Sequence, residues 1–468
     1  MSNLGIDIAG SALAAQQSAM DAVAQNLANA NTPGYVAETA VLSVNPAAAG
    51  GGVGAGVRVT GITQPADQLA QVANQQAQGA LSQATALQQV LSQAQDAFPT
   101  GSGTGISSQL ANFWSAWDNI NQNPSSAAPY TQVTDLAQGL ATSLHEASTQ
   151  LTQAQTNTQQ QLTDAVTNAN SLLGQVANLN SQILQVAGAG GSTNQLVDQQ
   201  DHLVDQLASA LGATTTTSAN GTVNVMVGGT ALVQGTTADQ LTTQTDPTTG
   251  ATAVQALAGS GSASASVPLT VTSGTAAGLL AALNTYLPGY QSRLDTVAQA
   301  LASTVDTQLA AGYTTSGSAG DPLFTVSGSD GTSATTTGVT AANITVNPTV
   351  VASPQTTLAV SNTSSMPAAS NNGANAQAIA DLGSSTTGPD LAFTNFIQKI
   401  GTDVQSANSQ VSAQTSVVNA ASQHLQEIGG VNTNEQMVSM LNYQQAYQAA
   451  AQVVSSINLA VQSLLSAI

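Results

Sequence analysis

Apolar residues recur at intervals of seven near both ends of the chain. At the beginning, Ile6, Leu13, Met20 and Leu27 are each seven residues apart, and Val23 lies three after Met20. At the end, the same repeat runs through Met440, Tyr443, Tyr447, Val454, Ile457, Val461, Leu464 and Ile468. Two apolar lines per seven residues are typical of a helix that packs along a narrow stripe. The pattern predicts amphipathic helices over residues 4–30 and 433–468, and these apolar residues together are called the assembly seam.

Turn-forming residues mark the inner limits of both predicted helices. The residue before Pro33 avoids helical geometry and Gly34 accepts a positive φ, so a turn is expected over residues 31–34. Before the C-terminal helix, the pair Gly429-Gly430 interrupts the preceding helix. Asn432 and Glu435 then have the spacing of a capping box. A long terminal helix with a narrow seam needs a partner, and the nearest partner for each terminus is the other one.

The middle of the chain alternates between two kinds of pattern. Segments rich in Ala, Gln and Leu predict long helices at residues 66–97, 162–183, 194–211 and 393–425, which together indicate an antiparallel bundle. Residues 212–272 and 313–361 are instead dense in Thr, Val and Gly, and Asn220-Gly221 is a hairpin signal. Both segments are therefore expected to be rich in strands, with a helix at residues 275–311 between them.

These patterns predict a mainly α fold with inserted β domains. Residues 1–35 and 431–468 are expected to form a coiled-coil-like terminal stem. Residues 36–211 and 366–430 are expected to form the long-helix bundle, and residues 212–365 a β-rich outer region with the helix at 275–311 inside it. Strands inserted between helices favour β domains that project from a helical stem.

The composition excludes several classes of partner. Only 6% of the 468 residues are charged, and the formal net charge is −20. The three cations, Arg58, Arg293 and Lys399, are far apart, whereas nucleic acids and anionic membranes require clustered Lys and Arg. No continuous apolar run approaches a membrane span, and the N-terminus lacks the pattern of a Sec signal peptide. With no cysteine, the fold uses no disulfide.

The sequence offers little catalytic chemistry. His145, His202 and His424 have no neighbours at metal-ligand spacing, and no phosphate-binding glycine loop is present. Asp198, Asp201 and Asp205 lie at helical spacing and are interpreted as a solvated face. No catalytic, cofactor or metal site is therefore expected, and the terminal seams are the candidate functional site.

Short motifs at the two ends resemble those of a known family. Residues 26–35 read Asn-Leu-Ala-Asn-Ala-Asn-Thr-Pro-Gly-Tyr, which closely resembles the N-terminal signature of bacterial flagellar axial proteins, the group of rod, hook and hook-associated subunits. Residues 431–435 and 443–449 are similar to the C-terminal signature of that group. The resemblance adds a second candidate site, called the signature turn: Asn29, Asn31, Thr32, Pro33, Gly34 and Tyr35.

Internal segments narrow the resemblance to the hook-associated protein 1 family. They are residues 195–207, 278–280, 321–324, 342–348 and 375–382, and they occur in the order found in that family. There are departures: residues 36–38 read Val-Ala-Glu instead of a Ser-Arg-Gln-like run, and charged residues are widely replaced. Intersubunit salt bridges of the family therefore do not carry over to this chain.

The resemblance implies a structural role outside the cell. It implies export through the flagellar type III apparatus without a cleaved signal, and self-assembly as a ring at the hook–filament junction. The implied neighbours are the hook subunit below and the second junction protein and filament above, with an export chaperone on the C-terminal helix. The terminal helices are expected to be mobile in the isolated subunit, where their partners are absent.

Three alternative readings remain open from the sequence. A hook or distal-rod subunit would share both terminal signatures, but the helix-rich centre and residues 195–207 argue against it. A secreted adhesin would fit the Thr- and Gly-rich segments, but it would require a Sec signal. An enzyme inserted into an axial protein is conceivable, although no triad or metal cluster supports it.

Overall fold

The computed structural model describes residues 2–32, 35–46, 54–65, 67–99, 105–218, 220–258, 265–326, 338–366 and 368–466. Long helices occupy both ends of the chain, and small antiparallel sheets lie in the middle. The predicted mainly α fold with inserted β structure is confirmed.

A helix and a hairpin form the beginning of the chain. Helix α1 (Ser2–Ala28) is followed by strands β1 (Thr39–Val44) and β2 (Val57–Thr63), which pair antiparallel. Both strands pack against α1, and the backbone N–H of Val57 donates to Ser11 Oγ at 3.3 Å. The sequence pattern did not predict this hairpin. Its contacts place it with the terminal helix, whereas the predicted bundle domain begins at residue 36.

Four helices follow, with the bounds α2 (Gln68–Asp96), α3 (Ile106–Gln122), α4 (Ala127–Gly188) and α5 (Asn194–Leu211). Asp67 caps α2 by accepting from the backbone N–H groups of Leu69 and Ala70, at 2.9 and 3.1 Å. Gly212 ends α5 with a φ of +67°, a conformation that a side chain would strain. The predicted helix at 162–183 is only part of the 62-residue α4.

Seven strands form two antiparallel sheets after α5. The first sheet contains β3 (Thr214–Thr217), β4 (Val223–Val227), β5 (Thr230–Gln234) and β6 (Thr237–Ala238). The second contains β7 (Gln240–Thr245), β8 (Thr252–Ala258) and β9 (Ala265–Pro268). The predicted β-rich segment at residues 212–272 is therefore confirmed, and Gly221 has a positive φ of 82° in the turn between β3 and β4.

The predicted helix at 275–311 is present with one irregular turn. It consists of α6 (Gly274–Ala281), a π-helical turn (Ala282–Tyr286) and α7 (Leu287–Ala310). Leu294, Leu301 and Leu309 of α7 are all fully buried. Burying a Leu side chain stabilises a fold by about 1.5–3 kcal/mol, so this helix is a main contributor to the core.

The prediction of a second β-rich segment at 313–361 is wrong for the residues that the structure describes there. Strands β10 (Phe324–Val326) and β11 (Ile344–Val346) pair over three residues each, and Tyr313 adds isolated bridges to Ala319 and Ser361. Two short helices follow, α8 (Pro348–Ala352) and α9 (Pro354–Thr357). The segment is held mainly by burial of scattered apolar side chains against the helices, as at Leu323 and Leu358, and not by strand pairing.

The chain ends with three helices, α10 (Ala374–Asp381), α11 (Pro389–Gly429) and α12 (Thr433–Ser466). Short 3₁₀ turns at Ala368–Asn371 and Leu382–Ser384 flank α10. Helix α11 runs antiparallel to α2: Ser422 Oγ donates to Asn74 Oδ1 at 3.2 Å, and the rings of Phe98 and Phe396 lie 4.8 Å apart at the other end.

The main hydrophobic core is one continuous cluster. Its described buried members all lie between Ala86 and Ala407. Val225 and Val233 of the first sheet belong to the same cluster as Leu173 of α4, so the sheets pack directly onto the long helices. Helices α1 and α12 and the β1–β2 hairpin lie outside this cluster, and these elements together are called the terminal unit.

Candidate assembly site at the paired termini

Helices α1 and α12 pack side by side and antiparallel. Asn26 near the end of α1 donates to Gln436 near the beginning of α12, at 3.0 Å. A Cβ on Gly5 would lie 3.1 Å from Ile457 Cδ1. In both pairs the residue numbers add to 462, so one register holds along about 30 Å of helix at ~1.5 Å per residue.

The C-terminal part of the assembly seam lies on the face of α12 that meets α1, where Ile457 makes its contact with Gly5. Its members with described side chains are all half-buried: Met440, Tyr443, Tyr447, Val454, Ile457 and Val461. The side chain of Leu464 and the whole of Ile468 lie outside the described residues. Among the described side chains of α12, none is buried, so α1 covers this stripe only in part.

The N-terminal part of the assembly seam is covered less evenly. Ile6, Leu13 and Met20 are half-buried, Val23 is buried, and Leu27 is 39% exposed. The most buried residues of α1 outside Val23 are instead small or polar: Ala9, Ala15, Ala19, Ala22 and Asn26. The hairpin explains this difference, because it packs beside α12 on a neighbouring face of α1. The buried face of α1 is therefore turned away from the row of seam residues that ends at Leu27.

The signature turn is held by local hydrogen bonds. Asn29 Nδ2 donates to the backbone carbonyl of Gln25 at 3.0 Å, and Thr32 Oγ1 donates to Asn29 Oδ1 at 3.2 Å. The backbone N–H of Tyr35 donates to the Thr32 carbonyl at 3.2 Å. Asn31 is exposed, and Pro33 and Gly34 lie outside the described residues. These bonds reverse the chain between α1 and the hairpin.

Asn26 joins the parts of the terminal unit, although it belongs to neither the assembly seam nor the signature turn. Its Oδ1 accepts from Tyr35 Oη at 2.9 Å and from the backbone N–H of Glu38 at 2.7 Å. Its Nδ2 donates to the Glu38 carbonyl at 2.8 Å and to Gln436 Oε1 at 3.0 Å. The side chain is fully buried, with every donor and acceptor direction used. Its position as the first residue of the N-terminal motif was the available signal.

Half of the capping box that the sequence predicts is present at the beginning of α12. Asn432 Oδ1 accepts from the backbone N–H groups of Asn434 and Glu435, at 3.1 and 3.4 Å. Gly429 ends α11, and its carbonyl accepts from the backbone N–H of Ala37 at 2.9 Å. The segment before the hairpin is thus fixed to the junction between the last two helices.

A polar cleft of about 800 Å³ lies between the terminal unit and the bundle. Its lining includes Tyr35 and Glu38 on one side and Asp198 and His202 of α5 on the other. Burial, with the nearby carboxylates of Glu38 and Asp198, raises the pKa of Tyr35 to about 12, so its hydroxyl stays protonated even in mildly alkaline solution. That state matches its donation to Asn26.

The interpretation of Asp198, Asp201 and Asp205 as a solvated face is wrong. All three are half-buried, because they face the segment from Gln64 into α2 instead of solvent. Burial raises the pKa of Asp198 and of Asp201 to about 6. The hydrogen bonds from Gln64 to Asp198 and from Gln71 to Asp201 act in the opposite direction and lower the pKa. Burial also raises the pKa of Asp205, opposed by a hydrogen bond from Gln75. Glutamine amides thus replace cations as partners of these acids.

Each histidine makes a single recorded polar contact among the described residues. His145 Nδ1 lies 2.9 Å from the Ala342 carbonyl, and His202 Nε2 lies 2.9 Å from Gln206 Nε2. His424 lies 4.0 Å from Glu427 in the same exposed turn of α11. Within the described ranges, no three His, Cys, Asp or Glu side chains come together as a metal-binding group. None of the described helices is long and apolar enough to cross a bilayer.

Three family models match successive parts of the chain. The model described as "Flagellar hook-associated protein FlgK helical domain" matches residues 91–324, half of the chain. One described as "Flagella basal body rod protein" matches residues 6–35, which cover most of α1 and the signature turn. One described as "Flagellar basal body rod FlgEFG protein C-terminal" matches residues 421–466, which include α12.

The similarity to known proteins extends over nearly the whole chain. Flagellar hook-associated protein 1 of Bacillus subtilis (strain 168) is 28% identical over 499 residues, which span 97% of this chain and 96% of that protein. The protein of the same name from Escherichia coli (strain K12) is 25% identical over 551 residues and covers both chains in full. The solved structure of the flagellar hook junction protein FlgK from Burkholderia pseudomallei is 19% identical, with a TM-score of 0.63 over 78% of this chain and 100% of that one. That structural likeness shows a shared fold.

Proposed function

Because the chain belongs to the family of flagellar hook-associated protein 1, FlgK, we propose that it is a structural subunit that joins the flagellar hook to the filament. It assembles as a ring through the terminal unit, and its partners are further copies of itself and the neighbouring axial subunits. The resemblance of both termini to rod-type axial proteins supports assembly through the ends. The match of the central helices to the FlgK domain favours the junction over the hook or the rod.

The exposed apolar surface of α12 is the observation that carries the proposal. Met437, Val438 and Leu441 are 51%, 58% and 57% exposed, and Val453 and Leu459 are 49% and 64% exposed. These side chains point away from the stripe that meets α1, so pairing within the chain leaves them uncovered. Apolar surface of this kind on one terminal helix is typical of a protein–protein contact that forms after folding.

The rest of the described chain, called the body, has a hydrophobic core of its own, which supports different roles for the body and the terminal unit. The described buried cluster between Ala86 and Ala407 does not include the terminal unit. The body can therefore remain folded while the exposed faces of α1 and α12 lose their contact with water and pack against neighbouring subunits. In the assembled ring, the terminal helices form the inner wall and the body with its sheets faces outward. The hook subunit contacts the ring from below, and the second junction protein and filament from above.

The same surface gives a reason for a chaperone. An exposed apolar helix is an aggregation hazard before assembly, and a protein that covers α12 during export would remove it. The absence of cysteine from the sequence is compatible with passage as an unfolded chain, since no disulfide has to form afterwards. Export through the flagellar apparatus places the assembled protein outside the cell, and no catalytic step is part of this role.

Removal of the C-terminal helix tests the proposed function. In a motile host that lacks its own copy, deletion of residues 431–468 should leave hooks without filaments and filament subunits in the medium. Electron microscopy of the cells and immunoblots of the medium report both results. Normal filaments on cells that carry the deletion would refute the assembly role.

A surface variant separates assembly from folding. Met437, Val438 and Leu441 are replaced together by Ser, and the control is Val417→Ser, which changes a 50% exposed residue of α11 outside the terminal unit. Both proteins should show the same thermal unfolding of the body, because none of the changed residues belongs to its core. We expect only the triple variant to lose motility and filaments. Equal motility of the two variants would exclude this face of α12 as an assembly surface.

A further inference from the structure

We infer that the buried amide of Asn26 sets the axial register in which the two terminal helices pair. It is the point at which α1, the segment after the signature turn and α12 meet through hydrogen bonds. The inference concerns pairing within one chain, so it stands independently of the proposed function.

The geometry fixes the orientation of the amide. Its oxygen and nitrogen lie against the backbone N–H and carbonyl of Glu38, at 2.7 and 2.8 Å, so only one orientation satisfies both groups. One N–H therefore remains for α12, and it donates to Gln436 Oε1 at 3.0 Å. The hydrogen bonds to Glu38 thus fix the position of the Asn26 N–H that contacts α12.

The apolar contacts provide little information about register. The buried residues of α1 apart from Asn26 and Val23 are alanines, which are alike in size. The stripe of α12 repeats every seven residues, so a slide by one heptad again places apolar side chains against α1. Neither ion pair in the described part of the chain joins α1 to α12, because both lie within α11.

A one-heptad slide would break the polar contact specifically. In the observed register Asn26 faces Gln436. A slide that brings the residue seven positions later to Asn26 replaces the Gln436 amide by the aromatic ring of Tyr443. The remaining N–H of Asn26 would then be buried without its acceptor, which disfavours the shifted pairing. A single buried Asn in a helix pair is known to select register in this way.

Engineered disulfides can report the register, because the natural chain has no cysteine. The pair Gly5→Cys with Ile457→Cys joins positions that are in contact in the observed register. The pair Ala12→Cys with Ile457→Cys is aligned only after the slide that brings Tyr443 to Asn26, because both pairs of residue numbers then add to 469; Ala12 is also half-buried. The fraction of each disulfide formed by the full chain under mild oxidation measures the population of each register.

Three substitutions are compared in both disulfide backgrounds. Asn26→Leu removes the whole polar cluster, whereas Gln436→Leu removes only the acceptor at the surface of α12. The control Gln25→Leu makes the same kind of change at the exposed neighbouring position. Thermal unfolding of the body, which has its own core, verifies that each protein is folded.

We expect the ratio of the in-register disulfide to the shifted disulfide to fall about three- to tenfold for Asn26→Leu and for Gln436→Leu, as loss of one or two buried hydrogen bonds would produce. The ratio for Gln25→Leu should equal that of the unsubstituted chain. An unchanged ratio in the first two variants would overturn the inference. Loss of both disulfides would also overturn it, because Asn26 would then be required for pairing itself and not for its register.

Discussion

The side-chain amide of Gln64 lies 3.0 and 3.2 Å from the two carboxylate oxygens of Asp198. This contact links the segment after the hairpin to α5, and it is continued by Gln71 with Asp201 and by Gln75 with Asp205. The contact of α5 with the segment after the hairpin and with α2 therefore contains half-buried carboxylates whose hydrogen-bond partners are glutamine amides.

Acidification should stabilise this contact of α5. Burial raises the pKa of Asp198 and Asp201 from the ordinary value of 3.8 to about 6. Between these values the folded chain binds protons that the unfolded chain releases, so the penalty present above pH 6 is removed as the pH falls through 6. The free energy of unfolding from urea titrations should be higher at pH 4.5 than at pH 7.5, with these two acids contributing about 1–2 kcal/mol after allowance for their partial exposure.

Neutral variants test the origin of that dependence. The double variant Asp198→Asn with Asp201→Asn should reduce the rise in the free energy of unfolding between pH 7.5 and pH 4.5. The substitution Asp164→Asn, at an exposed position, should leave that rise unchanged. Glu38, Tyr35, Asp205 and His202 also face these acids, and they are unchanged in all the proteins compared. The explanation fails if the double variant keeps the full dependence.

Asp306 should give a larger effect in the body. Its Oδ1 accepts from the backbone N–H groups of Leu323 and Phe324, at 2.8 and 3.3 Å, and its Oδ2 is buried with no hydrogen-bond partner among the described residues. Burial raises its pKa to about 7. Asp306→Asn keeps the acceptor and removes the charge, so the gain in stability from pH 8 to pH 5 should shrink by about 2–3 kcal/mol. Asp164→Asn, which removes the same charge at the surface, is the control, and an equal loss in both variants would argue against a role for burial.

Gly278 should resist substitution, because α6 crosses α2 at this residue. A Cβ there would collide with the Gln83 carbonyl and lie 3.1 Å from the Leu87 backbone nitrogen. Gly278→Ala should lower the free energy of unfolding by about 1–3 kcal/mol through overpacking.

Gly174 provides the matched control for that substitution. It lies inside α4, and a Cβ there would meet no atom within 4 Å. Gly174→Ala should stabilise the chain by about 0.5–1 kcal/mol, because Ala loses less backbone entropy in a helix. Thermal or urea unfolding measures both, and similar effects of the two changes would contradict the close crossing.

Hydrogen exchange should distinguish α12 from the body in the isolated subunit. None of the described side chains of α12 is buried, whereas α4 buries residues along its whole length. We expect backbone amides of α12 to exchange about two orders of magnitude faster than those of α4, since local opening exposes little apolar surface. Exchange that is equally slow in both helices would show that the terminal unit is already rigid before assembly.

Local signals predicted several elements well. The bounds of α5 agree with the prediction, because Gly212 ends the helix through its own backbone geometry. The break at Gly429 and the cap at Asn432 are also local and were found. The segment 313–361 was misread, because its Thr and Val residues resemble a strand composition while tertiary burial holds most of its described part without pairing.

The sequence by itself determined the elements whose causes lie within a few residues: the repeat of seven at both ends, the turns and caps, and the absence of thiol chemistry. Only the tertiary structure decided which faces are covered. The hairpin turns the buried face of α1 toward Ala19 and Asn26, and α2 covers the acids of α5. Helical periodicity specifies that a stripe exists, but the direction from which a distant segment approaches depends on the packing of the whole chain.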